Sequence, residues 1–512
     1  MAKHLQKGKI SKYADFADTF SNSSEIDTDS SYSDDENLPF IKPDNKYSSY
    51  KSITSTGSID RQGSISSSIF TLVSTMIGGG LLSLPFAFEQ GGFLMASFSL
   101  IFVLIASTYG GFLIINSKKY CNGKVRNIED VAYYAFGKLG KIGVQILLII
   151  VLYLCSVAYF ILIVDQMEPI ITLASNGTAG IWNKKVVLLA FVFAVVFPIS
   201  LFSNLSALKH TSILSVLCGI LLCCCVTYRS LKNQVGGPVD KPSNPVKWHP
   251  DSLRQTLTCI SITELTFSCH FNILPMHSEL QHQTRRNKRI ILFSAMGLTY
   301  LMNFIVSFFG YFQFRRFTDQ DITRNYASDD YVVTVGRAAL CVLLVLSYPL
   351  LIVPCRATLN KIFWHPNEPT PQCLLKISNP TLTGPNKIVW FIESLILVGT
   401  SFLLAYLVPQ VNMVWGFVGS VGCTFLIYII PPAFYLRVRR HPLKPDVKKV
   451  SAICLLIVGV LLLVAGLYQS IMNIISPLPE LRPEDRVLPD SFNRTNLFGF
   501  NNNVNINITN NF

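Results

Sequence analysis

Apolar residues along this chain come in long unbroken blocks, and polar residues gather between the blocks instead of alternating with them. About 20 mostly apolar helical residues cross the roughly 30 Å of hydrocarbon in a bilayer. The blocks predict eleven transmembrane helices, near 65–89, 93–115, 142–164, 186–201, 211–228, 253–276, 290–314, 332–354, 388–407, 411–436 and 450–471. The ninth and tenth come from one apolar stretch, divided at Pro409-Gln410 because proline lacks a backbone donor. The 1–64 segment has no sustained apolar period and holds an acidic, serine-rich run from Asp27 to Glu36, which predicts a disordered cytoplasmic N-terminal arm. A transmembrane domain at 65–472 follows, and then a non-cytoplasmic, Asn-rich low-complexity tail at 473–512.

Composition agrees with lipid as the solvent. Half of the residues are hydrophobic and 14% are charged, against roughly 25% charged in soluble domains. This is the profile of an integral, multi-pass membrane protein in contact with membrane lipid. The net charge of +13 does not form a basic face. Its cations sit in short loops between apolar blocks, so the chain is expected to bind no nucleic acid.

Those cations also orient the chain. Lys118, Lys119, Lys124 and Arg126 follow span two, Arg285, Arg286, Lys288 and Arg289 follow span six, and Arg437, Arg439 and Arg440 follow span ten. Lys and Arg resist translocation, which places the amino terminus in the cytoplasm, although the loops after spans five and seven carry cations too. The glycosylation sequons at Asn176, Asn493 and Asn507 then fall on the non-cytoplasmic side. With the acidic arm, the tyrosine-based string Tyr50-Lys51-Ser52-Ile53 leaves the plasma membrane and an endosomal or lysosomal (vacuolar) membrane both open.

Span one contains Met76-Ile77-Gly78-Gly79-Gly80-Leu81-Leu82-Ser83-Leu84-Pro85. Each mid-helix glycine costs about 0.8 to 1.0 kcal/mol against alanine. Two uses fit the glycines alone: close approach of another helix, or an unwound stretch whose bare N–H and C=O groups line a cavity and meet a ligand. Span six decides between them, because Ser268-Cys269-His270-Phe271-Asn272-Ile273-Leu274-Pro275 interrupts a second apolar block. Interrupted helices at positions one and six are the mark of a 5+5 inverted repeat, here about 65–228 and 253–436, with one extra helix at about 450–471. A half-helix N-terminus attracts a carboxylate and freed carbonyls attract an ammonium group, so the site is shaped for an amino acid. Its expected substrate-binding residues are Ile77, Gly78, Gly79, Gly80, Ser268, Cys269, His270 and Asn272, with Ser156 and Tyr159 of span three beside them.

Two groups inside the membrane are candidates for proton coupling. Glu264 is a carboxyl within span six, and intramembrane carboxyls are costly enough to suggest function. His270 has an ordinary pKa near 6.5, within physiological reach; the bland alternative is a neutral histidine satisfied by a neighbouring helix.

These strings resemble the amino acid/auxin permease superfamily, and more closely its sodium-coupled neutral amino acid transporter branch. The likeness rests on Thr75 to Pro85, on Cys269 to Pro275, on Phe309-Gly310-Tyr311, on Leu346-Ser347-Tyr348-Pro349, and on Trp415 to Tyr435. The resemblance implies a secondary active transporter of neutral amino acids, working by alternating access and coupled to sodium or protons. It also implies that Ser74 and Ser347 are sodium ligands. Sodium-coupled relatives have an asparagine where this chain has Ser74 and a threonine where it has Ser347. Both serines keep an oxygen for a hard cation, but each is equally able to bond back to its own helix. The rival reading is an amino-acid-binding nutrient sensor that signals through its cytoplasmic N-terminal arm. No nucleophile–base pair or metal motif points to an enzyme, and no cofactor is expected beyond Na+ or H+ as coupling ion.

Overall fold

The computed structural model describes residues 63–121, 125–175, 180, 185–201, 209–233, 245–363, 384–408, 411–439 and 447–475. The expected arm before Gly63, the tail beyond Ile475, and the sequons at Asn176, Asn493 and Asn507 lie outside them. The helices in chain order are α1 (Ile65–Met76), α2 (Gly80–Lys118), α3 (Ile128–Ala174), α4 (Lys185–Ser200), α5 (Lys209–Asn233), α6 (Leu253–Thr266), α7 (His270–Glu279), α8 (Arg285–Phe314), α9 (Tyr331–Ser347) and α10 (Pro349–Phe363). Then come α11 (Gly384–Leu407), α12 (Val411–Phe417), α13 (Ile430–Val438) and α14 (Val447–Ile475). Two π-helical stretches, Val418–Cys423 and Phe425–Ile429, join α12 to α13.

Every block expected to span is helical, yet nine helical stretches among the described residues are long and apolar enough to cross a membrane. The count of eleven is not reached by length. α1 is short because its helix is interrupted, and α4 has 16 residues. Conversely, the 39 residues of α2 would extend about 58 Å at 1.5 Å per residue, too far for one crossing. Gly92, at φ 68°, divides α2 into the end of span one and all of span two. Only glycine fits there: a Cβ would fall 2.6 Å from the His249 backbone nitrogen and 2.7 Å from the Trp248 carbonyl carbon. Gly137, at φ 72°, likewise separates the first turns of α3 from its apolar length.

Polar caps set the helix starts. Ser64 accepts from the Ser67 N–H, Ser252 from Gln255, Thr284 from Asn287, and Asp330 from Val332 and Val333. Span six is the central element, with 78% of its most apolar stretch buried, against 28% for span nine and 22% for span eleven. Spans nine and eleven therefore lie at the periphery, where α14 shows a row of exposed Ile, Val and Leu side chains.

Three contacts join distant helix ends. The Gly63 N–H donates to Glu279 O (3.0 Å) and the Gln281 N–H to Gly63 O (3.1 Å), tying the start of α1 to the end of α7. Between α8 and α9, the short 3-10 helix Ile322–Asn325 is held to α3: Gln166 donates to Asp321 (2.6 Å), Thr323 donates to Gln166 (2.9 Å), and Arg324 pairs with Asp165 (2.8 Å). The Lys361 ammonium meets Glu129 at 2.6 Å with both side chains almost fully buried, which fixes the end of α10 to the first turn of α3.

Removing one partner of a buried ion pair leaves an uncompensated charge, at a cost of about 3–5 kcal/mol. Lys361→Met should therefore lower the Tm of the detergent-purified protein markedly, and the double variant Glu129→Gln/Lys361→Met should recover most of the loss. Equal stability of single variant and wild type in a thermal unfolding assay would show that the pair does not hold these ends together.

Candidate functional site

The backbone of span one comes apart at the glycines. The Ile77 N–H closes α1 by donating to Val73 O (2.9 Å), and Leu81 and Leu82 open the next helix by donating to the carbonyls of Gly78 and Gly79 (3.2 Å each). The N–H groups of Gly78 and Gly79 find no backbone acceptor among the described residues. Ile77 and all three glycines are buried. The missing side chains matter as well. A Cβ on Gly78 would run into the Tyr159 hydroxyl, one on Gly79 into Leu162 and to 2.6 Å from Trp415, and one on Gly80 to 2.7 Å from the Thr266 methyl. Close approach and unwinding, which were alternatives for the glycines, are thus both present.

Span six breaks at Phe267-Ser268-Cys269, one turn earlier than the His-Asn-Pro string suggests. His270 and Asn272 occupy the first turn of α7, and Pro275 sits inside that helix. Asn272 Nδ2 donates to Thr75 Oγ1 (3.1 Å), and Thr75 donates to Thr71 O (2.8 Å), so the two interruptions are linked directly. Among the described residues the Asn272 Oδ1 atom has no partner. His270 is fully buried, with Nε2 3.2 Å from Ser107 O. A carbonyl only accepts, so Nε2 carries the proton, and Nδ1, with no partner among the described residues, is a bare acceptor. Ser268 faces Cys423 of the π-helical stretch, and Cys269 is buried at the start of α7.

Ser74 and Ser347 come together, with a third serine that the sequence did not single out. Ser74 Oγ lies 2.9 Å from both Ser347 Oγ and Ser215 Oγ, and Ser215 lies 2.8 Å from Ser347. None of the three is more than 1% exposed. In such a ring each hydroxyl donates once and accepts once, and each keeps one lone pair. Ser347 ends α9, where Pro349 has no N–H for the carbonyl four residues back; Tyr348 keeps helical φ and ψ (−53° and −44°), so span eight runs on into α10 with one hydrogen bond missing.

Of the two residues expected from span three, only Tyr159 reaches the break. Ser156 donates to Tyr153 O (2.7 Å) and meets Ser401 of α11 (3.0 Å). Glu264 lies in the last turn of α6 and faces Thr424 of span ten at 2.6 Å. Ser215 and Leu162 escaped sequence reading, and Trp415 and Thr424 entered it only within the span-ten string that carries the family likeness. A lone hydroxyl or a large side chain in an apolar block carries no local signal of what it touches.

Two helices interrupted at facing points, with polar groups turned inward, are the architecture of an inverted-repeat transporter. The comparisons with known proteins agree. The chain belongs to the transmembrane amino acid transporter protein family, which matches residues 61–472. It is 26% identical over 441 residues to sodium-coupled neutral amino acid symporter 2 of Danio rerio, covering 79% of this chain and 82% of that protein. Among solved structures, MhsT in complex with L-phenylalanine aligns with a TM-score of 0.50 at 13% identity, covering 79% of this chain and 98% of that one. MHP1, a nucleobase-cation-symport-1 family transporter solved in a closed conformation with bromovinylhydantoin bound, aligns with a TM-score of 0.50 at 11% identity, covering 83% and 96%. At such identities the likeness establishes the fold: an all-α, polytopic inverted-repeat transporter with discontinuous helices one and six.

The clash at Gly78 gives a test. Gly78→Ala should lower amino acid uptake by proteoliposomes at least about tenfold, the effect of roughly 1.4 kcal/mol. Gly297→Ala, where a Cβ meets nothing within 4 Å, should leave uptake unchanged. Equal uptake by the two variants at matched abundance would remove the glycine triplet from the site.

Proposed function

We propose that this chain is a secondary active transporter of neutral amino acids that works by alternating access, with sodium as its coupling ion and its amino terminus in the cytoplasm. The observation that carries the reading is the pair of buried interruptions joined through Asn272 and Thr75. The free N–H groups at Gly78 and Gly79, with the positive ends of α2 and α7, suit a carboxylate. The ends of α1 and α6 leave carbonyls for an ammonium group. Around the glycines stand Tyr159, Leu162, Trp415, Leu265 and Thr266, none of them charged, so a substrate side chain there meets no countercharge. That favours neutral amino acids.

Sodium is assigned to the serine ring because three converging hydroxyl oxygens are hard ligands and because the ring has a mechanical consequence. Ser74 belongs to the last turn of α1, next to Thr75, which holds Asn272. A cation drawing the three oxygens together would fix the end of α1 to α5 and α9 and so shape the break for substrate. Without it, the same half-helix is held by neutral hydroxyl contacts alone. The zebrafish relative, by its name, is coupled to sodium.

The test is uptake of labelled neutral amino acids into proteoliposomes. Replacing external sodium by choline at constant pH should lower the initial rate at least about tenfold. Ser347→Ala should raise the sodium concentration needed for half the maximal rate several-fold, with substrate affinity at saturating sodium nearly kept. Undiminished uptake in choline would overturn the coupling ion, whereas failure of every zwitterionic amino acid to enter would overturn the substrate class.

A further inference from the structure

The carboxyl of Glu264 is 1% exposed, in the last turn of the half-helix that leads into the span-six break. Its Oε2 lies 2.6 Å from Thr424 Oγ1, and the same Thr424 oxygen lies 2.8 Å from Ser420 O. Its Oε1 meets no close donor among the described residues, and the Tyr428 phenol stands beside the carboxyl. Thr424 owns one hydroxyl proton, which cannot serve two acceptors at once.

Two protonation states can be compared atom by atom. If Glu264 is ionised, Thr424 donates to Oε2, the Ser420 contact loses its proton, and Oε1, a buried anionic oxygen, depends on the adjoining Tyr428 phenol for a donor. If Glu264 is protonated on Oε2, it donates to Thr424, Thr424 donates to Ser420 O, and Oε1 is a neutral carbonyl oxygen. The second arrangement gives both the carboxyl proton and the Thr424 proton an acceptor. It also avoids an anion at the C-terminal end of α6, where the helix dipole opposes one. No Lys, Arg or His among the described residues pairs with the carboxyl. The titratable groups that face it are the Tyr428 phenol and the Cys423 thiol of span ten. From span two, α6 receives Ser99, which contacts Thr263 and Cys259, and from α14 it receives Gln469, bonded to Thr258 and Ser261. None of these supplies a positive charge.

The setting makes that proton consequential. Thr424 stands between the two π-helical stretches, which carry an extra residue per turn and are frequent at functional sites. The Tyr428 hydroxyl, one turn further on, is buried beside the carboxyl, a donor for an ionised Glu264. On the other side of α6, Thr266 leans on Gly80 of the span-one break.

We propose that Glu264 is a proton-binding site, distinct from the serine ring, whose proton clamps the end of α6 to Thr424 of span ten and whose loss passes that contact to Tyr428. The proposal rests on the transport reading and adds a second ion to it. Transport then depends on pH through one group, while the serine ring sets the sodium dependence.

The experiment measures initial uptake rates in proteoliposomes at saturating sodium and zero membrane potential, from about pH 5 to about pH 9. Wild type should show one titration step. Glu264→Gln, neutral and of the same shape, should remove the step and hold the acid-limb rate at every pH, with its sodium requirement unchanged. Thr424→Val, which takes away the relay but keeps the volume, should move the step. A step that survives unchanged in both variants overturns the proposal, and so does a wild-type rate that is flat with pH. Infrared spectra of the wild-type and Glu264→Gln proteins in detergent read the site without transport: the buried carboxylic acid C=O band should be present in wild type, shift in D2O and be missing from the variant. If no amino acid is transported yet the band behaves so, the transport reading fails and the proton site stands. If sodium-driven uptake is normal and the band is absent from wild type, only the proton site fails.

Discussion

Inside a bilayer every backbone N–H and C=O must find a partner within the protein, and that single demand governs the design of this molecule. Regular helix meets it without help, so each departure from helix needs its own support. Span one departs at Ile77-Gly78-Gly79 and span six at Phe267-Ser268-Cys269. Both lie deep among other helices, with side chains pressed around them and none of their residues left to face lipid. The polar groups that collect there, Thr75 with Asn272 and the three serines, are what such interruptions permit and what an unbroken apolar helix would have no means of accommodating.

The packing around the glycines also resolves an opposition that sequence alone poses. Small residues let helices approach, and they let helices unwind, and the two have been set against each other as explanations. Here the Tyr159 hydroxyl, the Leu162 methyl and the Trp415 ring occupy the volume that side chains at positions 78 and 79 would fill. Proximity is what excludes solvent and lipid from the unwound stretch, so one property of glycine does both jobs.

Much of this was legible in the chain, and unevenly. Apolar block length located the spanning segments, since hydrocarbon thickness imposes one scale on them, but neither the first turns of α3 nor the short 3-10 helix Ile322–Asn325. Three adjacent glycines marked the first interruption to within one residue, whereas the second lies just ahead of the conspicuous His270, Asn272 and Pro275, which belong to the helix that follows it. What could not be read was lateral: Ser215 meets Ser74 and Ser347 across 141 and 132 positions of sequence, and nothing in a lone serine within span five records that meeting. Glu264 stood out as a charge in an apolar block, but its relation to Thr424 depends on the π-helical turns of span ten, which leave no mark in the order of residues.

The two-bond bridge at Gly63 bears on how the halves of the interrupted helices move. It couples the outer tip of α1 to the outer tip of α7, one from each repeat, backbone to backbone. Each such bond contributes about 1 kcal/mol net, so the two together make a light knuckle between the rods. A bulkier residue at 63, whose Cβ would sit 2.9 Å from Glu279 O, would loosen that knuckle without touching either interruption.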